Sequence, residues 1–244
     1  MAGKLHLIGS PIGNKLDISD RLIESIKNAT TICVEDIDRF EEFCHANSFN
    51  YTAELIDVLY SPNNDRELNS SEYIINKLIS GEDVHIISDE GMPGVADPGS
   101  ILFTKAVNNN IEIIVSPGPS TIIAAAALAG VFNRFSFEGF LPHDSNERTR
   151  YWKYLSTLNH PMIFLLQNPM NMPVSTPDKT YASNESSNVF VFLKEAIENL
   201  GDRECMYGVD ITTSKQKIIR STLDDLYLEL SNNNYPGNVC IVIY

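Results

Sequence analysis

Residues 84–99 read VHIISDEGMPGVADPG. A run of four apolar or aromatic residues, Val84 to Ile87, stops at a segment carrying Gly91, Gly94, Gly99, Pro93, Pro98 and the carboxylates Asp89, Glu90 and Asp97. The first part suits a short strand buried on both faces, because it does not alternate polar with apolar. The second part suits neither helix nor strand, since glycine and proline break both. A buried parallel strand that ends in such a loop is the unit of an open α/β sheet, in which ligands bind beyond the carboxyl ends of the strands. The loop is an ordinary connection, a phosphate cradle or the wall of a site, and the rest of the chain bears on which.

Two further loops share the pattern. Gly9-Ser10-Pro11-Ile12-Gly13-Asn14 follows the apolar run Leu5 to Gly9, and Ser116-Pro117-Gly118-Pro119-Ser120 follows Ile111 to Val115. Glycine and proline alone make tight turns, but three such loops at three strand ends point to one pocket. None contains lysine or arginine, and neither GxxxxGK[ST] nor GxGxxG occurs, so a phosphate is a poor ligand and a hydroxyl-bearing or cationic one a better one.

Helical patterns separate these strands. Ile18, Leu22, Ile23 and Ile26 share a face, with Asp17 as the expected N-cap; Phe40 and Phe43 begin another after the strand Thr31 to Val34. Tyr73 to Ile79 is helical up to Gly81, and Asp97 and Pro98 are expected to open a helix bearing Ile101, Leu102, Ala106 and Val107. The alternation predicts a parallel sheet with helices on both faces.

The second half is less regular. Helices are expected over 119–129, 146–158, 190–200 and 223–230, with strands over 135–141, 161–166, 205–211, 217–220 and 239–244. Residues 171–188 are polar and proline-bearing and read as a surface excursion. The expected organisation is therefore two domains, 1–118 with a parallel sheet and 119–244 with a mixed sheet of α+β type.

Composition narrows the function classes. At 244 residues and 43% hydrophobic content the chain can bury an ordinary core, and no apolar run reaches the length of a membrane span. The net charge is −14, and residues 1–118 carry 8 basic against 19 acidic groups. Such a chain lacks the basic face by which naked nucleic acid is held non-specifically. Cys33, Cys44, Cys205 and Cys240 are scattered without CxxC spacing and read as buried thiols of a soluble, cytoplasmic protein. No converging set of three or four His, Cys, Asp or Glu suggests a metal.

The strings GSPIGN, CVEDIDR, SDEGMPGVADPG, PGPS and FEGFLP, in that order, resemble the tetrapyrrole methylase superfamily. They are most similar to its branch of ribosomal-RNA cytidine 2′-O-methyltransferases, which typically reads PIGN, ACEDTR, SDAGTPxxSDPG, PGPS and FxGFLP. The resemblance covers residues 5–142 and thins from Pro161. Where the branch carries YESPHR and an ARELTK-like stretch, this chain has 166–171 (LQNPMN) and 208–213 (GVDITT), and Glu90 and Met92 replace its alanine and threonine.

The resemblance implies a homodimeric two-domain α/β methyltransferase that uses S-adenosylmethionine, held in the cleft between the domains. By motif position it assigns to the cofactor Pro11 and Ile12, then Asp89, Gly91, Met92 and Val95, then Ser120 and Thr121. From the second domain it assigns Leu166, Gly208, Val209, Asp210 and Asn238. The acceptor it implies is a ribose 2′-hydroxyl of small-subunit ribosomal RNA; a tetrapyrrole-like small molecule, or a regulatory protein that binds the cofactor without catalysis, are the alternatives. Methyl transfer to a hydroxyl gains from a general base. Glu35, Asp36 and Asp38 at a strand end are the candidates, followed by Asp89 and Glu90; the competing reading is an acidic cluster that complements a helix N-terminus.

Overall fold

The structure is a computed structural model describing residues 2–57, 65–96, 100–166 and 188–244. The chain divides into two compact units, Met1–Ser120 and Thr121–Tyr244. The expected helix start at Asp97 and Pro98 and nearly all of the 171–188 excursion lie outside the described residues.

In the first unit, five four-residue strands form one wholly parallel sheet: β1 (Leu5–Ile8), β2 (Thr31–Val34), β3 (Glu54–Asp57), β4 (Val84–Ile87) and β5 (Ile113–Ser116). Their order is β3-β2-β4-β1-β5, so β1 lies between β4 and β5. Leu5 stands beside Val84 on one side and Ile113 on the other.

Helices cover both faces, as the unalternating strands require. On one face α3 (Asp65–Ser80) and α4 (Ser100–Asn108) pack Ile74, Ile75, Leu78, Leu102 and Ala106 against Leu5, Cys33 and Val84. On the other, α1 (Asp20–Asn28) and α2 (Ile37–Ala46) pack Leu22, Ile26, Phe40 and Cys44 against Ile8, Ile32, Val34 and Ile87. Asp17, expected as the cap of α1, belongs instead to a preceding 3-10 turn, Lys15–Asp17. Ser19 is the cap, its hydroxyl accepting the Leu22 amide at 3.1 Å. The hydroxyl lies three residues before that first-turn N–H, the spacing a serine cap favours.

The second unit holds α5 (Thr121–Ala129), β6 (Ser136–Gly139), α6 (Ser145–Leu155), β7 (Met162–Leu166), α7 (Val189–Leu200), β8 (Glu204–Val209), β9 (Lys217–Thr222), α8 (Leu223–Asn232) and β10 (Val239–Ile243). Its sheet is mixed, in the order β6-β7-β10-β8-β9; only the β6–β7 pair is parallel. Along β7, Met162, Phe164 and Leu166 face one core while Ile163 and Leu165 face the other. The first core is aromatic: Trp152 of α6, Phe164 of β7 and Phe192 of α7 are each nearly or fully buried, with ring centroids 5.1–6.1 Å apart. Beside it buried Arg148 donates to both oxygens of Glu195 at 2.9 Å, and Trp152 Nε1 donates to Glu195 at 2.8 Å.

All four cysteines are free and buried. Among the described residues no helix is long and apolar enough to cross a membrane.

Candidate functional site

The strand order makes the three glycine- and proline-rich loops neighbours. They follow β1, β4 and β5, which lie side by side, so all three leave the carboxyl edge of the sheet at one place. They also touch. Ser10 N donates to Gly91 O at 2.8 Å, Ser88 Oγ donates to the same carbonyl at 3.1 Å, and Gly9 N donates to Ser116 O at 3.0 Å. Gly118 N donates to the sulfur of Met92 at 3.2 Å, which ties the 88–96 loop to the 116–120 turn.

Two glycines are indispensable to this approach. A Cβ placed on Gly9 would stand 2.6 Å from Gly118 Cα, and one on Gly118 would stand 2.7 Å from Gly9 Cα, so any side chain would push the first and third loops apart. Gly91 takes a φ of +87°, and a Cβ there would point between Ile12 and Pro119 O at 3.5 and 3.7 Å.

A fourth strand end adds the titratable groups. Glu35 follows β2, and its Oε1 accepts the backbone N–H of Asp89 at 2.9 Å. Burial pushes the Glu35 carboxyl up to about 7. The Asp89 amide pulls it down, the Asp89 and Glu90 charges push it up further, and the Arg39 charge opposes them. Asp89 is also held above its ordinary range, by burial first, against the opposing charge of Arg39. Arg39 Nη1 lies 2.7 Å from Asp89 Oδ2.

Of the predicted residues, Ile12, Asp89, Gly91, Met92 and Glu35 are therefore brought together at the edge of the first sheet, with Pro11 and Ser120 on the same loops. Val95 is 47% exposed on the far part of its loop. Asp36 has a structural duty, for its carboxylate caps α2 by accepting the Arg39 amide at 3.1 Å. Asp38 sits exposed in the first turn of α2. Thr121 is the first residue of α5, in the second unit.

The second-unit residues form their own group at one end of the mixed sheet. Val239 stands between Leu166 and Val209, Cys240 is paired with Gly208, and Asp210 N donates to Asn238 O at 2.9 Å. Asp210 Oδ1 accepts the Asn238 amide in return, at 2.8 Å. Asp210 holds a φ of +45°, a conformation its short polar side chain tolerates.

Arg39 was absent from the expected site. The sequence signal was present, since it is the single basic residue between Lys27 and Arg66, inside the CVEDIDR string. Among the described residues, no group of three or more His, Cys, Asp or Glu is placed to hold a metal ion.

A two-unit α/β chain with carboxylates and backbone groups gathered at the edge of a parallel sheet has the architecture of a small-molecule-binding protein. The comparisons make that class specific. The family model for Tetrapyrrole (Corrin/Porphyrin) Methylases matches residues 4–227, and the chain belongs to that family. A protein of Buchnera aphidicola named ribosomal RNA small subunit methyltransferase I is 36% identical over 163 residues, which are 66% of this chain and 55% of that one. The chain thus covers little more than half the length of that relative. A protein of the same name from Thermotoga maritima is 28% identical over 242 residues, covering 99% of this chain and 98% of the relative. The fold matches the uroporphyrin-III C-methyltransferase of Thermus thermophilus, solved with S-adenosyl homocysteine, with a TM-score of 0.62 at 13% identity over 98% of this chain and 97% of that one.

Proposed function

We propose that the chain is an S-adenosylmethionine-dependent methyltransferase acting on a ribose 2′-hydroxyl of small-subunit ribosomal RNA, with Glu35 as the general base. The observation that carries this reading is the Glu35–Asp89 contact at the carboxyl edge of the sheet, where a carboxyl pushed up to about 7 borders the converging loops. A base is most effective when its pKa lies near the working pH. The likeness to the Buchnera and Thermotoga ribosomal RNA methyltransferases supports the ribosomal acceptor over a tetrapyrrole or a regulatory role.

The chemistry of the loops fits this cofactor. They carry Asp89 and Glu90 and no lysine or arginine of their own, Arg39 of α2 pairing with Asp89 from outside the loops, and their backbone groups are set in fixed directions by proline and by the Gly9–Gly118 approach. S-adenosylmethionine supplies an activated methyl group on a positively charged sulfur. The chain's own part is to orient and to move a proton. Pro11, Ile12, Gly91, Met92, Val95 and Ser120 would line the cofactor, with Asp89 favouring its charge. In the second unit Thr121, Leu166, Gly208, Val209, Asp210 and Asn238 are the residues that motif position assigns to it. Glu35 accepts the proton of the acceptor hydroxyl, and holding the reactants aligned away from water can contribute ~7–11 kcal/mol.

A cytoplasmic homodimer belongs to the same proposal; the buried, unpaired thiols support the compartment, and light scattering of the purified protein tests the dimer. The function is tested by incubating the protein with methyl-labelled S-adenosylmethionine and, in parallel, isolated small ribosomal subunits, protein-free ribosomal RNA and a tetrapyrrole mixture. Label is expected in the RNA of the subunits, at one nucleotide whose 3′ bond resists alkali. Label in a tetrapyrrole alone, or in nothing, overturns the proposal.

A further inference from the structure

The carboxyl edge of the first sheet is hostile to a polyanion. Glu35, Asp36, Asp38, Asp89 and Glu90 crowd it, and α2 continues outward with Glu41 and Glu42. An RNA acceptor must nevertheless bring its phosphodiester backbone within reach of a ribose hydroxyl beside Glu35. Among the described residues, the Arg39 guanidinium contacts only the Asp89 carboxylate, through Nη1 at 2.7 Å. The two partners are unequal: the Arg39 side chain is 55% exposed, that of Asp89 only 12%. A guanidinium carries five N–H donors in a planar fork, and one contact leaves most of the fork for a second anion. Phosphate accepts that fork bidentately.

We propose that Arg39 is a phosphate-contact residue for the RNA acceptor, bridging buried Asp89 on one side and a backbone phosphate next to the target ribose on the other. The inference rests on the proposed function and adds to it the group that admits RNA to an acidic rim. Asp89 fixes the guanidinium in place before the acceptor arrives, so little side-chain freedom is lost on binding. Arg39 also reports position, because the same Asp89 supplies the amide that holds Glu35. A phosphate seated on Arg39 sets the neighbouring ribose close to the base.

The competing role is a tether that merely pins the 88–96 loop to α2. Affinity for isolated small ribosomal subunits, measured against salt concentration for the wild type and for Arg39→Gln, Arg39→Lys and Asp89→Asn, separates the two. A phosphate contact predicts roughly tenfold weaker binding for Arg39→Gln. Its slope of log affinity against log salt should also be shallower by about 0.7, the loss of one contact to unpaired RNA. Arg39→Lys should keep the slope but bind more weakly than wild type, and Asp89→Asn should keep the slope and lose less affinity than Arg39→Gln, because it removes the anchor of the guanidinium but not its charge. A tether predicts that Asp89→Asn weakens binding as much as Arg39→Gln with no change in slope, and that result overturns the inference. Wild-type affinity and slope in Arg39→Gln overturn it as well. If the wild type neither binds nor methylates subunits, the proposed function itself fails, and the two failures are thereby told apart.

Discussion

The two units use their residues differently. In the first, strands of four residues carry the chain to one edge, where glycines in close contact, a partly buried pair of carboxylates and a single arginine are assembled. In the second, strands of up to six residues and three interlocked aromatic rings make a dense core, and its buried arginine donates to Glu195, Pro142 and His143. One unit keeps charged groups where a ligand can reach them; the other spends its polar groups on packing.

That contrast can be broken in order of effect. Glu35→Gln should lower kcat by about 10²–10⁴-fold in the methyl-transfer assay, the usual worth of a general base. Wild-type kcat/KM should rise with pH to a plateau above about 7, because the base works only when ionised. The same substitution should raise the melting temperature at pH 8. The folded protein holds the Glu35 proton more tightly than the unfolded chain does, so stability falls between the ordinary carboxylate range and about 7, and glutamine removes that loss. A lower melting temperature for Glu35→Gln at pH 8 would assign the residue to structure.

Phe192→Ala, by contrast, should cost ~3–5 kcal/mol in denaturant unfolding, since it empties the centre of the aromatic core. Its effect on S-adenosylmethionine affinity should vanish under conditions where the protein remains folded.

A smaller effect concerns the opposite end of the first sheet. His6 and His85 stack with centroids 4.4 Å apart, and His85 Nδ1 is buried without a hydrogen-bond partner. Burial, with the neighbouring His6 charge, lowers His85 to about 4, while Asp83 opposes the shift. The unfolded chain therefore binds the proton more readily, and stability should decline as pH falls from about 6.5 towards 4. His85→Phe, which preserves a ring for the stack, should flatten that decline in melting temperature. The smallest expected change is Ser19→Ala, about 1 kcal/mol for the lost cap of α1.

What the sequence reveals follows the same division. In the first unit the runs at Leu5, Thr31, Val84 and Ile113 are short, apolar and unalternating, so buried parallel strands are legible one at a time. The loops that follow them declare their shared edge through glycine and proline. Glu54–Asp57 is not legible as a strand, because an edge strand with charged ends at Glu54 and Asp57 carries little apolar signal. Asp17 reads as the cap of α1 from its place before the apolar face, and only the 3-10 turn Lys15–Asp17 moves the cap on to Ser19.

In the second unit the strands are recognisable but their partners are not. The last strand, β10, lies at the centre between β7 and β8, and no local pattern encodes a pairing that spans more than 70 residues. Glu35 is legible as a candidate by its place after a strand. Its altered acidity is not, because it arises from burial in the folded chain, and the Arg39–Asp89 contact joins residues fifty positions apart.

The order β3-β2-β4-β1-β5 also bears on how the protein is made. The edge site draws on residues 9–12, 35–39, 88–92 and 116–120, and its first contact, Ser10 to Gly91, spans 81 positions. During synthesis the first loop waits for β4 to arrive beside it and for β5 to close the other side. No nascent chain that stops short of Ser120 can carry the complete edge. Formation of the Ser10–Gly91 and Gly9–Ser116 contacts would thus mark the moment at which the whole first unit has found its register.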